Sequence, residues 1–368
     1  MLVGPGKTYS VPSAAAAVAQ AGDVVKISAG DYRGDVATWS ANNLTICGVG
    51  GRARLFADGK NEGGKGTWIF RGASPTIDSI EFHDASVPDQ NGAGIRAEHI
   101  GDMLIRNSGF FDNEDGILGA EGAATVTIEN SEFARNGYGD GQSHNIYIGP
   151  AARLTVRNSY FHEAKIGHNL KSRAKETHIE NSYFMDGPNG TASYLIDTPN
   201  GGLVYLRGNL FQKGPNADNS IAIAYGQEIG TQFVPTPWPV NTLEMVHNTI
   251  VSTRSGGTFL AAPASTQSIK LTANLFAGTG NPGLITGGFS ASNIVQQNNY
   301  TSMASNITAP DNIAAPNFWP NATLLDLINN LLSTVPDATY TNDAPTPFAP
   351  RTFTSSAARL VGALQAKP

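Results

Sequence analysis

The chain has 368 residues and a formal net charge of −6, and charged residues make up only 15% of it. The negative balance argues against general nucleic-acid binding, and a hydrophobic content of 40% argues against disorder. No apolar run approaches the roughly 18 residues that a membrane span requires. The 41 glycines and 21 prolines are instead typical of a β protein that is dense in turns.

The N-terminal segment carries the signals of a short helix. Ser13 is a candidate N-cap, an alanine-rich run follows it, and Gly22 provides a stop. We therefore predict a helix over about 11–22. A solenoid must cover its open end, and we expect this helix to cap the repeats that follow.

The middle of the chain repeats a short motif, Asn-x-x-Phe or a close relative of it. The copies begin at Asn107, Asn130, Asn158, Asn181, Asn209, Asn248, Asn274 and Asn298. Their intervals, from 23 to 39 residues, fall in the window of solenoid repeats. We expect each of these Asn residues to occupy a corner and to hydrogen-bond to the Asn of the next coil. The motif phenylalanines should stack inside.

Short alternating strands precede the motifs, with apolar residues at every second position, as in 125–128, 154–156, 177–179 and 243–246. Coils of about 25 residues, built from short strands and Gly, Asn and Asp turns, are the units of a parallel β-helix. The predicted fold is therefore all-β: one parallel β-helix, a solenoid of roughly ten coils, over residues 1–300 with the N-terminal helical cap.

The C-terminal region has a different composition. Residues 322–335 could form a helix, and 339–353 are rich in Pro and Thr. We interpret 301–368 as a tail that folds back along the solenoid.

The opening of the chain resembles a known superfamily. Gly4-Pro-Gly-Lys-Thr-Tyr-Ser10, the alanine-rich helix and Gly22-Asp-Val-Val-Lys-Ile-Ser-Ala-Gly-Asp-Tyr32 resemble the entrance to right-handed parallel β-helix proteins of the pectate-lyase-like superfamily. The resemblance continues through the repeats to about residue 300. It implies that the coils are right-handed.

Two phrases of the repeat match each other: His144-Asn-Ile-Tyr-Ile-Gly149 and His168-Asn-Leu-Lys-Ser-Arg173. Stacked on one another, they pair His144 with His168, Asn145 with Asn169, and Tyr147 with Lys171. An inward column of Ile95, Ile117, Ile146, Leu170 and Leu195 then brings a polar set onto one outer face, with coils about 4.8 Å apart. The members of this set are Arg96, Asn145, Tyr147, Asn169, Lys171 and Tyr194.

Several of these residues also have purely structural interpretations. His144 and His168 fall on the inward parity of their strands, where a hydrogen-bonded structural histidine is usual. The two asparagines could form another ladder, and Tyr147 and Tyr194 could simply stack. Asp197 could only initiate a turn. We keep His144, Asn145, Asn169, Arg96, Arg173 and Asp197 as candidate substrate-binding residues.

The charge of this face points to an acidic polysaccharide as the partner. Lysines and arginines gather around Lys171 and Arg173 in a chain that is negative overall, so the cleft would attract an anionic polymer. Cleavage of a uronate polymer by β-elimination needs a carboxylate neutraliser, a base and an acid. Lys171, Tyr147, Tyr194 and His168 are the candidate catalytic residues. Lys171 is the expected base, and Tyr194 or His168 the expected acid.

The phrase Leu170-Lys-Ser172, followed by Ile179, Asn181 and Phe184, resembles the catalytic coil of the chondroitinase-B-like lyases. The resemblance implies that Lys171 is the base. The calcium-binding Glu pair of that family is replaced here by Ala164 and Ile166, so no cofactor is expected, and calcium would lack its usual ligands. A zinc site from the histidines lacks the recognised ligand spacing.

Two other functions remain open. A glycoside hydrolase on the same fold would use Asp115, Asp140 or Asp197, with two carboxylates roughly 5 to 9.5 Å apart. A non-catalytic protein that binds polysaccharide would need no special residues. No signal peptide is visible, so the protein is either intracellular or a mature form that has lost its export signal. A polysaccharide substrate favours a secreted or periplasmic location.

Overall fold

The computed structural model describes residues 1–98, 100–122, 124–328 and 360–364. The chain divides into two compact units. Unit 1 consists of Met1–Thr155 and Ala164–Ala174, and unit 2 of Val156–Glu163 and Lys175–Pro368. Within the described residues, no helix is both long enough and apolar enough to span a membrane.

Two α-helices and many short strands make up the described chain. The helices are α1 (Pro12–Ala16) and α2 (Ala322–Ile328). Strands up to residue 162 are β1 (Leu2–Val3), β2 (Val24–Arg33), β3 (Ala37–Trp39), β4 (Thr45–Phe56), β5 (Gly66–Phe70), β6 (Thr76–Asp78), β7 (Ile80–His83), β8 (Ala93–Ala97), β9 (Met103–Arg106), β10 (Gly109–Phe111), β11 (Asp115–Gly119), β12 (Thr125–Glu129), β13 (Glu132–Ala134), β14 (Ile146–Ile148), β15 (Arg153–Arg157) and β16 (Tyr160–His162). The later strands are β17 (Leu170–Ser172), β18 (Glu176–Glu180), β19 (Tyr183–Met185), β20 (Ile196–Thr198), β21 (Leu203–Arg207), β22 (Leu210–Lys213), β23 (Ile221–Tyr225), β24 (Thr242–Val246), β25 (Thr249–Ser255), β26 (Thr258–Ala261), β27 (Ser268–Thr272), β28 (Leu275–Thr279), β29 (Gly283–Thr286), β30 (Ile294–Gln297), β31 (Tyr300–Met303), β32 (Ile307–Ala309) and β33 (Asn317–Pro320).

Both units are parallel β-helices, as the repeat predicts. In unit 1, β10 pairs in parallel with β7 and β13, and β11 with β8 and β14. In unit 2, β21 pairs in parallel with β18 and β24, and β25 with β22 and β28. Each strand therefore lies beside the equivalent strand of the next coil. Only β32 and β33, among the pairings described, are antiparallel.

Stacked aromatic rings fill the core, and the sequence prediction of this feature is confirmed. In unit 1 the ring centroids of Phe110 and Phe133 are 4.5 Å apart. In unit 2, Phe184 lies 4.8 Å from Phe161 and 5.3 Å from Phe211. Phe276 is also buried. Unit 1 adds a member that the motif did not include, Phe82, whose ring is 5.0 Å from Phe110. Parallel in-register pairing places each ring over the next.

The predicted ladder of hydrogen-bonded Asn side chains is present. In part of the chain, however, the ladder position lies one residue after the Asn that the motif alignment assigned to it. Asn209, Asn248 and Asn274 are buried, and amide groups link Asn209 to Asn248 at 3.1 Å and Asn248 to Asn274 at 2.9 Å. The ladder continues to Asn299 rather than to the predicted Asn298.

In the earlier copies of the motif, the first Asn forms the corner of the coil rather than the ladder. Asn107, Asn130, Asn158 and Asn181 adopt the left-handed conformation, with φ between 48° and 53°. The next residue, Ser, takes the ladder position, as where Ser159 N donates to Ser182 Oγ at 3.1 Å. The equivalents of the first Asn in later copies are Gly208, His247, Ala273 and Asn298, all with positive φ. Asn tolerates this conformation better than most residues, which explains its frequency at the corner.

The predicted N-terminal helix is shorter than expected. Helix α1 has five residues, begins at Pro12 and packs against β2 and β3. Ser13 is not its N-cap: Ser13 Oγ and N both donate to the carboxylate of Asp35, at 2.5 and 3.0 Å. Beyond α1, Val18 is 53% exposed, so the later alanine-rich turns lack a buried face to stabilise them.

The end of the described chain packs on unit 2. Leu360–Leu364 is buried there with Phe318, Trp319 and Leu324. Gly362 N donates to Ala273 O at 2.8 Å, and Ala363 N donates to Thr249 Oγ1 at 3.0 Å. The predicted helix over 322–335 is present in its described part as α2, Ala322–Ile328. Residues 329–335 and the Pro- and Thr-rich 339–353 lie outside the described residues.

The titration of His247 makes the packing of Leu360–Leu364 depend on pH. Its Nδ1 lies 3.1 Å from Gly362 O, to which it donates, and Nε2 is buried without a partner among the described residues. Burial, together with the positive charge of Arg207, lowers the pKa of His247 to about 4. The folded protein therefore favours neutral His247.

We expect His247 to make stability fall in acid. Because its folded pKa is lowered, its contribution is fully present above its ordinary pKa of 6.5 and is lost as pH falls toward 4. The loss should reach roughly 3 kcal/mol at about 1.36 kcal/mol per pKa unit. His247→Asn removes the titration and suits the positive φ. Denaturant unfolding of both proteins between these pH values checks this, and a pH-independent difference would contradict it.

Candidate functional site

An outer row of side chains crosses the second sheet of unit 1, which consists of β3, β5, β8, β11, β14 and β17. The parallel register places Arg96 beside Leu118, Leu118 beside Tyr147, and Tyr147 beside Lys171. We call these four residues the outer row. The row confirms the predicted alignment of Arg96, Tyr147 and Lys171 on one face. Leu118 was missed, although its position follows from the alternation once Ile117 points inward.

The inner column beneath the row is as predicted within unit 1. Ile117 pairs with Ile95 and with Ile146, and all three are fully buried. Leu170, one residue before Lys171, is also fully buried. The buried column fixes the outward direction of the intervening side chains, because neighbouring residues of a strand point to opposite faces.

Tyr147 is the centre of a cationic cluster. Arg173 Nε donates to the Tyr147 hydroxyl at 2.8 Å. Lys171 Nζ lies 5.3 Å from the centroid of the Tyr147 ring, and Arg173 Cζ lies 5.8 Å from it. Both distances are within the range of cation–π attraction. Because its oxygen accepts a hydrogen bond from Arg173, Tyr147 can direct its own hydroxyl proton to another group.

The Lys171 ammonium has no hydrogen bond and no ion pair with any residue that the structure describes. Its neighbour on the row is the ring of Tyr147, which the Arg173 guanidinium also contacts. Half-buried and without an acidic partner, the side chain is available to a ligand on this face.

His144 and His168 stack on one another as predicted, but beneath the surface. Their ring centroids are 4.6 Å apart with an interplanar angle of 15°. His168 N donates to His144 Nδ1 at 3.0 Å, so neutral His144 carries its proton on Nε2. Burial, reinforced by His168 and Lys171, holds the pKa of His144 well below its usual range. The side chain of His144 is fully buried, as its inward parity predicts, so it does not lie on the outer face where a substrate contact was expected.

The predicted outward position of Asn145 and Asn169 is also wrong. Both side chains are fully buried in a ladder, in which Asn145 Nδ2 donates to Asn169 Oδ1 at 2.7 Å. Asn136 Nδ2 donates to Asn145 Oδ1 at 2.9 Å, and Asn113 continues the ladder to Asn136. Both residues precede their strands, where the alternation used for the prediction does not yet apply.

Two of the carboxylates considered for hydrolysis are buried. Asp115 is 1% exposed and accepts a hydrogen bond from His144 N at 2.8 Å. Burial raises its pKa well above the usual range. Asp197 is 4% exposed and lies within β20, opposite Ala224, rather than at the start of a turn. Asp140 is exposed and accepts a hydrogen bond from Gln142 N within its own turn.

Tyr194 belongs to unit 2, as does Asp197. The Tyr194 hydroxyl accepts a hydrogen bond from Asn219 Nδ2 at 3.3 Å. Burial, and then the negative charge of Asp197, raises the pKa of Tyr194. The outer row consists of residues of unit 1 only.

The residues considered for metal binding do not gather into a site. Across the described ranges, no group of three or more His, Cys, Asp and Glu side chains is arranged to hold a metal ion. Ala164, where the resembled family has a calcium ligand, is buried, and Ile166 is 37% exposed.

The coils, the stacked core and the outer row define a parallel β-helix protein with a cationic face. Residues 37–184 and 118–300 match the family described as right-handed β-helix region, so the chain belongs to that family. This establishes the right-handed fold that the sequence predicts.

Comparison with solved structures gives one match in fold and two weaker similarities. Pectate lyase Pel9A has a TM-score of 0.57 and 13% identity, over 96% of this chain and 90% of that chain. The PL6 family alginate lyase AlyGC has a TM-score of 0.41 and 14% identity, over 78% and 49%. The GH87 alpha-1,3-glucanase of Streptomyces thermodiastaticus has a TM-score of 0.29 and 15% identity, over 82% and 66%. No curated protein sequence matches the chain.

Proposed function

We propose that this protein is a polysaccharide lyase that cleaves a uronate-containing polymer by β-elimination, with Lys171 as the base. The observation that carries the proposal is the Lys171 ammonium, which lacks an acidic partner, beside the Tyr147–Arg173 pair. The fold shared with pectate lyase Pel9A agrees with a polysaccharide substrate.

Tyr147 and Lys171 of the outer row, together with Arg173, offer a group for each step of the elimination. Arg173 would bind the C6 carboxylate, since a guanidinium presents a planar fork of donors to it. The Lys171 ammonium would first give its proton to solvent, and the resulting amine would accept the C5 proton while the electrons of that C–H bond form the C4–C5 double bond. The C4–O bond then breaks, and the leaving oxygen takes a proton. No water is added in this reaction.

We assign the acid to Tyr147. The sequence suggested His168 or Tyr194, but His168 is only 7% exposed, and burial raises the pKa of Tyr194, which makes its hydroxyl a weaker acid. The Tyr147 hydroxyl accepts from Arg173 and keeps its own proton for donation. Arg173 would thus bind the substrate carboxylate and orient the acid.

A panel of acidic polymers tests the proposed function. Alginate, pectate, hyaluronan, glucuronan and bacterial exopolysaccharides are each incubated with the protein, and the ultraviolet absorbance of an unsaturated uronate is followed. Absorbance that rises with one of them supports the proposal. New reducing ends without absorbance would indicate a hydrolase, and neither signal would leave a binding protein, so either result contradicts it.

Tyr147→Phe should lower kcat by roughly 10² to 10⁴, the usual contribution of a positioned proton donor. The ring beneath Lys171 remains, so KM and thermal stability should change little. Tyr138→Phe is the matched control, because Tyr138 is 51% exposed in a loop of the same unit. Steady-state kinetics of both variants check this, and equal activity in the two would remove Tyr147 from the acid role.

A further inference from the structure

A groove lies at the other end of the outer row from Lys171. It has a volume of about 540 Å³, and Arg96 lies in its wall. The other charged residues of its lining are Lys65, Glu98 and Glu121. The groove belongs entirely to unit 1.

The Arg96 guanidinium is held in place but is not neutralised. Its nearest hydrogen-bond acceptors are the main-chain and side-chain oxygens of Asn91, at 3.5 and 3.4 Å from Nη2. Arg96 Nε is buried and has no partner among the described residues. Because their contacts to Asn91 are long, the Nη donors of this half-buried guanidinium are suited to binding a carboxylate.

The acids near Arg96 are mostly engaged elsewhere. Glu98 accepts a hydrogen bond from Arg71 Nε at 3.0 Å. Asp115 is buried and accepts from His144 N. Glu121 therefore remains as the carboxylate that would oppose an anionic ligand in this groove.

Arg96 and Lys171 are three coil steps apart along the outer row, about 14 Å at the spacing of neighbouring strands. Between them lie Leu118 and the ring of Tyr147. The row thus has cations at both ends and apolar surface between them. A polymer with an acidic group on each sugar could place its ring faces over the middle and carboxylates at the ends.

We propose that Arg96 binds a second carboxylate of the substrate, so that the polymer lies along the outer row and must be several sugars long to reach both cationic ends. The inference rests on the proposed function for the identity of the ligand. It adds a requirement for chain length that the chemistry at Lys171 does not impose.

Binding measured without turnover tests the proposal. In the full-length Lys171→Ala protein, titration calorimetry compares disaccharides to hexasaccharides of galacturonate, mannuronate and glucuronate. Adding Arg96→Gln should weaken binding of the longer oligosaccharides by roughly ten- to one-hundred-fold, as expected for lost hydrogen bonds to a charged group. Binding of the disaccharide should not change.

Two further variants sharpen the result. Arg54→Gln removes the same charge from the other sheet of unit 1, where Arg54 is half-exposed and paired with Asp31, and should leave every affinity unchanged. Glu121→Gln should strengthen binding of the longer oligosaccharides. A loss on Arg96→Gln that is equal at all lengths, or absent, overturns the second carboxylate site.

The two proposals fail in different ways. If the wild-type protein produces unsaturated uronates but Arg96→Gln has no length-dependent effect, the lyase function is supported and the second carboxylate site is wrong. If the wild-type protein cleaves nothing but Arg96→Gln weakens binding of the longer oligosaccharides only, the second carboxylate site is supported and the lyase function is wrong. If no oligosaccharide binds and nothing is cleaved, both are wrong.

Discussion

Lys171→Ala should abolish turnover of the uronate polymer and leave the fold intact. The base removes the C5 proton, and loss of a positioned proton acceptor costs roughly 10² to 10⁴ in rate. The Lys171 side chain is half-buried and forms no hydrogen bond or ion pair with the described residues, so unfolding should change by less than about 0.5 kcal/mol. The initial rate of ultraviolet absorbance and a thermal melt measure the two effects.

Lys171→Arg tests whether Lys171 acts as a base or only through its positive charge. Arginine keeps the positive charge but does not lose its proton in proteins, so this variant should bind substrate and remain inactive. Lys175→Ala is the control, because Lys175 is an exposed lysine four residues further along the chain. If Lys171→Ala or Lys171→Arg retained full eliminase activity, Lys171 would not be the base.

Phe161→Ala should have the largest effect on stability. Phe161 is fully buried and stacks on Phe184 at 4.8 Å with an interplanar angle of 8°. Truncation of a packed aromatic side chain costs about 3 to 5 kcal/mol through lost burial and the cavity that remains. Denaturant unfolding of the variant and the wild-type protein measures the loss.

Val295→Ala provides the comparison for this loss, since Val295 is 57% exposed on β30 and should change stability by less than about 0.5 kcal/mol. An unchanged unfolding midpoint for Phe161→Ala would show that the stack does not contribute to the stability of unit 2.

The fold was predictable because two sequence patterns repeat along the chain. Alternation over segments such as Thr125–Glu129 identified strands, and recurrence of Asn and Phe identified coils. The phase of the motif was harder to predict. Asn favours both the left-handed corner and the ladder beside it, so the same residue type marks Asn107 in one copy and Asn209 in another.

The outer row was predictable from register alone. Matching the two His-Asn phrases was enough to set Tyr147 beside Lys171, because in-register parallel pairing fixes neighbours once one inward residue is known. The contact between Arg173 and the Tyr147 hydroxyl was not predictable, since it depends on side-chain conformations beyond the end of β17.

Burial at the edges of strands was the main source of error. Asn145 lies just before β14, where the chain turns inward, and a hydrogen bond to the neighbouring coil holds its side chain inside. Alternation extrapolated from Ile146 cannot detect such a turn. The sequence alone therefore cannot decide whether a histidine or asparagine beside a predicted active site binds a ligand or is structural. The same polar groups that bind ligands also form hydrogen bonds with buried groups of the neighbouring coil.

The most direct test of the lyase is the mass of its product in isotopically labelled water. β-Elimination adds no water, so the new non-reducing end should carry a double bond and the new reducing end should form without incorporating solvent oxygen during cleavage. A hydrolase would yield saturated ends and incorporate one labelled oxygen at each cut. Unsaturated, unlabelled products that disappear in Lys171→Ala are the predicted result, and saturated, labelled products would contradict it.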